Sequence, residues 1–179
     1  MSVQPVDRAT IAADLERCRE DLHALISGAT RAQLGRRSRG TRWTNEQLLF
    51  HMVFGFLIVR RLLPIVRLVS RLPAPVGGGF ASVLQRSRAP FHVVNYLGSC
   101  GGALVFNRTR LGWLCDRTIA ALLARLHREP EMRLGRGMPF PTSWDPYFAA
   151  FMTLEDVYRY PARHYDHHRA QLTFGRTRL

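Results

Sequence analysis

No lysine occurs among the 179 residues, so all 26 basic positions are arginine. Such one-sided usage can follow genome composition as readily as function, and the net charge of +13 is therefore weighed by where the arginines fall. Acidic residues are missing altogether from Gln47 to Cys115, a span that holds Arg60, Arg61, Arg67, Arg71, Arg86, Arg88, Arg108 and Arg110. A basic region of this kind can attract nucleic acid, anionic lipid or a small anionic substrate. The arginines are scattered, however, and aromatic residues do not interleave with them. That disfavours a groove in which bases stack, and leaves solvated helix faces as the plainer account. Cysteine is sparse: Cys18, Cys100 and Cys115 are odd in number and show no CxxC spacing. This excludes a disulfide framework and a zinc knuckle, and suits a reducing cytoplasm.

Long hydrophobic runs are also missing. The apolar stretch from Leu48 is cut by Arg60 and Arg61 after about a dozen residues, short of the ~20 that a bilayer requires, so no transmembrane segment is expected. Met1 to Leu15 carries Asp7 and Asp14 and no apolar run, so no secretory signal is expected and the location should be cytoplasmic. No segment alternates long enough to suggest a sheet, and no internal repeat is visible. The 46% apolar content supports a folded globule, and the length suits a single domain, 1–179.

What remains is helical periodicity. Ile11, Leu15, Cys18, Leu22 and Leu25 step by four and three, the apolar stripe of an amphipathic helix expected over 7–33. Thr44-Asn45-Glu46-Gln47 is a capping box, and Trp43 precedes it where it can staple against Leu48. The helix this opens runs towards Arg71, with a kink expected at Pro64. Residues 73–79 read as a loop, and Phe80 to Gly102 is mixed, because Pro90, Gly98, Gly101 and Gly102 argue against one long helix. A third helix is expected over 103–128, with Leu104, Leu111, Cys115, Ile119, Leu122 and Leu126 on one side. Residues 129–152 read as an irregular connection. A last helix is expected from Thr153, kinked or broken by Pro161 just before His164. Four principal helices with long second and third connections describe an irregular all-α four-helix bundle.

Three of the seven histidines fall within Arg163-His164-Tyr165-Asp166-His167-His168. His164 and His168, four apart, share a helix face and can meet one divalent cation; His164 with His167 is a competing pair. His51 lies in the first turns of an otherwise apolar helix, where a polar ring needs a partner: a metal, a carbonyl or a carboxylate. Three imidazoles with a vacant fourth position point towards reactivity, since structural zinc sites use four protein ligands. Asp166 is more readily solvent-facing than an orienter of either histidine. His92, His23 and His127 have no partner pattern and read as surface or satisfied residues. Trp144, Tyr147 and Phe148 can line a pocket, although cladding over a bundle end is the plainer account. Asn95 and Tyr158 are polar pocket candidates, and Cys100 reads as a small thiol rather than a nucleophile.

Trp43-Thr44-x-x-x-Leu48-Leu49-x-His51-Met52 and, far downstream, His164-x-x-His167-His168-x-x-Gln171-Leu172 resemble the two ends of the DinB-like superfamily of metal-binding four-helix proteins. The resemblance implies an up-down-down-up bundle and His51, His164 and His168 as metal ligands. His167 and Gln171 would then be motif neighbours that do not bind the ion. It also implies a metal-dependent enzyme, a thiol S-transferase or a related hydrolase or isomerase acting on a small molecule, with a low-molecular-weight thiol as cofactor. Three neutral imidazoles suit zinc or nickel. Arg163 or Arg60 would hold an anionic cofactor at the cavity mouth. The alternative is a non-catalytic basic protein that binds nucleic acid or another polyanion. A homodimer is expected, because the helix over 48–69 carries more apolar residues than one core should need.

Overall fold

A computed structural model describes residues 7–72, 79, 82, 83 and 85–175, and within them the protein is mostly helical. The helices are α1 (Arg8–Gly28), α2 (Arg31–Gly35), α3 (Asn45–Val69), α4 (Arg88–Val105), α5 (Arg108–Arg128), α6 (Glu131–Leu134) and α7 (Leu154–Arg169). Two short strands, β1 (Gly137–Pro139) and β2 (Phe151–Thr153), pair antiparallel with Met138 opposite Met152. The expected loop over 73–79 lies, apart from Gly79, outside the described residues.

Local sequence rules set the helix starts. Thr44 accepts from the Gln47 amide while Gln47 reaches back to the Thr44 amide, the reciprocal capping box. Thr153 does the same with Asp156 and starts α7. The stripe Ile11, Leu15, Cys18, Leu22 and Leu25 is buried in full along α1. Burial rests on α3, which packs against α7, α5 and α4, while α1 packs against α5 and α7. Leu48, Leu49, Met52, Val53, Phe56, Val59 and Leu63 of α3 are almost wholly removed from solvent. Fully burying one such side chain contributes roughly 1.5–3 kcal/mol. Among the described residues no helix is long and apolar enough to cross a membrane.

Five expectations are corrected. The third helix does not begin at 103: Phe106 and Asn107 separate α4 from α5, and Asn107 caps α5 through its side chain. The span 88–105 is one helix despite Pro90, Gly98, Gly101 and Gly102. Pro90 lies in its first turn, where a missing amide matters little. Gly102 lets α4 close on α3, since a Cβ there would run into the Phe50 ring. Leu104, expected on the buried side, is 84% exposed because it belongs to α4 and not to α5. Pro161 does not break α7, which runs unbroken from Leu154 to Arg169 with Pro161 buried. Finally, the connection over 129–152 holds α6 and forms a two-stranded pair with the residues just before α7, which no alternation could announce in strands of three residues.

The C-terminal segment is tied back to the start of α3. The buried Asn45 side chain donates to the Gln33 carbonyl and to Thr173 Oγ1, each at 2.7 Å, and the Arg39 amide donates to the Gln171 carbonyl at 2.8 Å. Gln171 is thereby held close to the first turns of α3.

Candidate metal centre

Two helix faces meet at the site. His51, Gly55 and Ile58 recur on one face of α3; Tyr160, His164 and His168 recur at intervals of four on α7. His51 and His164 are buried, at 3% and 5% exposure, and His168 is partly buried. Their candidate ligand nitrogens lie within 4.8 Å of one another. The His51 and His164 ring centroids stand 5.0 Å apart, and each lies 4.5 Å from that of His168. All three expected residues are thus brought together.

The hydrogen bonds around the rings determine which nitrogens face inward. Ser99 Oγ on α4 donates to the Asn95 carbonyl at 2.7 Å and therefore accepts from His51 Nδ1–H at 3.0 Å. Gln171 Oε1 accepts from His168 Nδ1–H at 2.7 Å. With both Nδ1 atoms protonated, the Nε2 lone pairs of His51 and His168 face each other across 3.1 Å. Two lone pairs at that distance repel unless a cation lies between them. The His164 ring rests on α3 at Gly55, where an added Cβ would meet Nδ1 at 2.7 Å, and that nitrogen has no hydrogen-bond partner among the described residues. His164 Nε2 stands 4.0 Å from Asp145 Oδ2.

Burial also keeps the rings neutral, the state that binds a metal. Desolvation first, and His168 second, push His51 down to about 3. Desolvation, followed by the other histidines, holds His164 well below the usual imidazole range. His168 is lowered by desolvation, against the Gln171 hydrogen bond that raises it. The donor set, the fixed tautomers of His51 and His168 and the neutrality of all three rings fit a divalent ion.

A cavity of about 170 Å³ opens over the three rings. Trp43 stacks on His51 at 4.2 Å between centroids, so its aromatic face covers the histidine. The far wall is Trp144, Asp145, Pro146 and Tyr147 from the connection before β2, with Trp144 stacked on Phe91 of α4 at 4.1 Å. Trp144 and Tyr147 are therefore cavity walls and not outer cladding; Phe148 does clad, packing against Phe140 and Tyr160.

Other expectations divide. His167 is exposed and shares a hydrogen bond with Tyr147 Oη at 3.2 Å, on the rim rather than among the three. Asp166 faces outward and pairs with Arg17. His23 pairs with Asp116, whereas His92 and Asn95 line the cavity. Tyr158 is buried away from the cavity, with its hydroxyl unpartnered among the described residues. Arg163 is exposed, and neither it nor Arg60 lines the cavity, which corrects the expected cationic mouth. The reason is helical phase: Arg163 sits one residue from His164, about 100° around α7. Ser99 and Asp145 were missed altogether. They stand 48 residues after His51 and 19 before His164 in sequence, and no periodic signal links them to either.

A family model described as the DinB superfamily matches residues 14–172, and the chain belongs to that superfamily. Comparison with curated proteins and with solved structures finds no match.

Proposed function

For this DinB-superfamily chain, we propose that His51, His164 and His168 hold a divalent metal ion, zinc or nickel, in a metal-dependent enzyme acting on a small molecule, a thiol S-transferase or a related hydrolase or isomerase. An ion held by three imidazoles supplies Lewis-acid chemistry to a thiol or water at the position that the protein leaves free. The chain's own residues do the rest. Ser99 and Gln171 hold His51 and His168 in the ligating tautomer, as orienting groups at metal sites do. Trp43, Trp144 and Phe91 restrict water around the cavity, and about 170 Å³ sets a limit on the substrate's size.

The single observation that carries this reading is the pair of inward-facing Nε2 lone pairs at 3.1 Å, each fixed from behind by a hydrogen-bond acceptor. Metal analysis of the purified protein tests it, followed by conjugation assays with low-molecular-weight thiols and electrophiles. Stoichiometric zinc or nickel and thiol-dependent turnover are expected. Protein that retains no divalent metal after incubation with either ion overturns it.

A second reading, a basic protein that binds nucleic acid or another polyanion, is supported by Arg67, Arg71, Arg133 and Arg136 around one recess at the far end of α3. Binding of mixed duplex DNA with a steep salt slope would favour it. Self-association is supported by α4, whose Val93, Val94, Leu97 and Leu104 are exposed; light scattering after size exclusion reads the mass directly.

A further inference from the structure

Asp145 is the one formally charged side chain among the described residues lining the histidine cavity, which includes no arginine. Its carboxylate is only 15% exposed and is fixed from two sides: Oδ1 accepts the Tyr147 amide at 2.9 Å, and Oδ2 accepts the Tyr160 hydroxyl at 2.9 Å. Oδ2 also stands 4.0 Å from His164 Nε2. Asp145 is not within mutual reach of all three imidazoles, so it faces the centre from the cavity side rather than completing the ligand set. Around it the walls are aromatic: Phe91, Trp144, Tyr147 and Tyr160.

From this placement we infer that Asp145 sets the charge of what the centre accepts, selecting small molecules without a free anionic group over anionic ones of the same size. The inference rests on the metal reading above and adds the substrate class to it. The reasoning is a matter of charge balance. The two charges of a divalent ion are already met by Asp145 and by one thiolate sulfur. A second anionic group on the ligand then meets no cationic side chain among the described residues lining the cavity, only a fixed carboxylate and aromatic walls, and loses its hydration on entry.

The test uses cobalt(II) as the probe metal and three small thiols: 2-mercaptoethanol, 3-mercaptopropionate and cysteamine. Each is titrated into the cobalt-loaded full chain at about pH 8, above the ordinary histidine range, and the sulfur-to-cobalt charge-transfer band is followed. Mercaptoethanol should bind about tenfold more tightly than mercaptopropionate, with cysteamine at least as tight as mercaptoethanol. In Asp145→Asn that preference should shrink to within about twofold, while Asp166→Asn, on the outer face of α7, should keep it. Equal or tighter binding of mercaptopropionate by the unaltered protein overturns the inference without any variant, and so does a preference unchanged in Asp145→Asn. Failure to take up cobalt removes the metal reading and this inference together; uptake without discrimination removes this inference alone.

Discussion

The two ends of α3 carry opposite solutions to the same difficulty, that of placing polar groups against a packed helical core. Near its start, His51 lies in a buried cluster of neutral imidazoles that, among the described residues lining the cavity, one carboxylate and no arginine face. About 24 Å further along the axis, 16 residues on at the usual rise per residue, Arg67 and Arg71 join Arg133 and Arg136 around a shallow recess. There the charge is met by a single buried carboxylate, Glu129, whose side chain is 1% exposed and lies 3.3 Å from Arg67 Nε. Among the described residues, no carboxylate pairs with Arg71, Arg133 or Arg136. Charge density therefore does not locate the converging imidazoles. Neutral donors with fixed tautomers converge on one point, whereas guanidinium groups spread into solvent and need only one internal counter-charge.

Four experiments break or sharpen that contrast. The largest effect is expected from His164→Ala, which removes one of three proposed ligands; metal retained through dialysis, read by elemental analysis, should fall at least a hundredfold, with helical circular dichroism preserved. Next is Glu129→Gln at the arginine end. Arg67 is itself 35% exposed and can be rehydrated, so unfolding stability should fall by about 2 kcal/mol in urea titrations, with metal content unchanged. A drop in metal content there would mean that the two ends are coupled.

The third concerns pH on metal-free protein. His51 is held at about 3 in the fold by desolvation and then by His168, against about 6.5 when unfolded. Between those values the unfolded chain binds the proton and the folded one does not, so stability is fully present above about 6.5 and falls as the pH drops towards 3. From pH 7 to pH 5 the loss traceable to His51 should be about 2 kcal/mol, and replacing His51 with Gln should flatten that slope. A melting temperature that rises on acidification would contradict it. The smallest effect is assigned to Ser99→Ala, which leaves every ligand in place but frees the His51 tautomer. Metal affinity measured by chelator competition should weaken about tenfold. No change would mean that Ser99 merely fills space.

How far these residues could be foreseen depends on how local their signals are. Thr44 with Gln47, the α1 stripe and the start of α7 at Thr153 are written within one or two helical turns, and each appears as expected. The pairing of His164 with His168 is local too. His51 was distinguishable because a polar ring inside an apolar helix is conspicuous. Asp145 was not, lying in an aperiodic stretch whose neighbours read equally well as cladding. The α4 helix was missed because its glycines are unfavourable by propensity, while one of them, Gly102, serves the close approach to α3 at Phe50.

By itself the order of residues determined where α1, α3 and α7 coil, where α3 and α7 are capped and which face of α1 turns inward, since those choices are settled by interactions across three or four positions. It also placed two imidazoles on one face of one helix. Only tertiary packing decided that His51 would meet them, that Ser99 and Gln171 would lock the rings from behind, and that Asp145 would look into the cavity. Those are encounters between segments tens of residues apart, determined by how helices and a connecting loop fill space together, and no local periodicity encodes them.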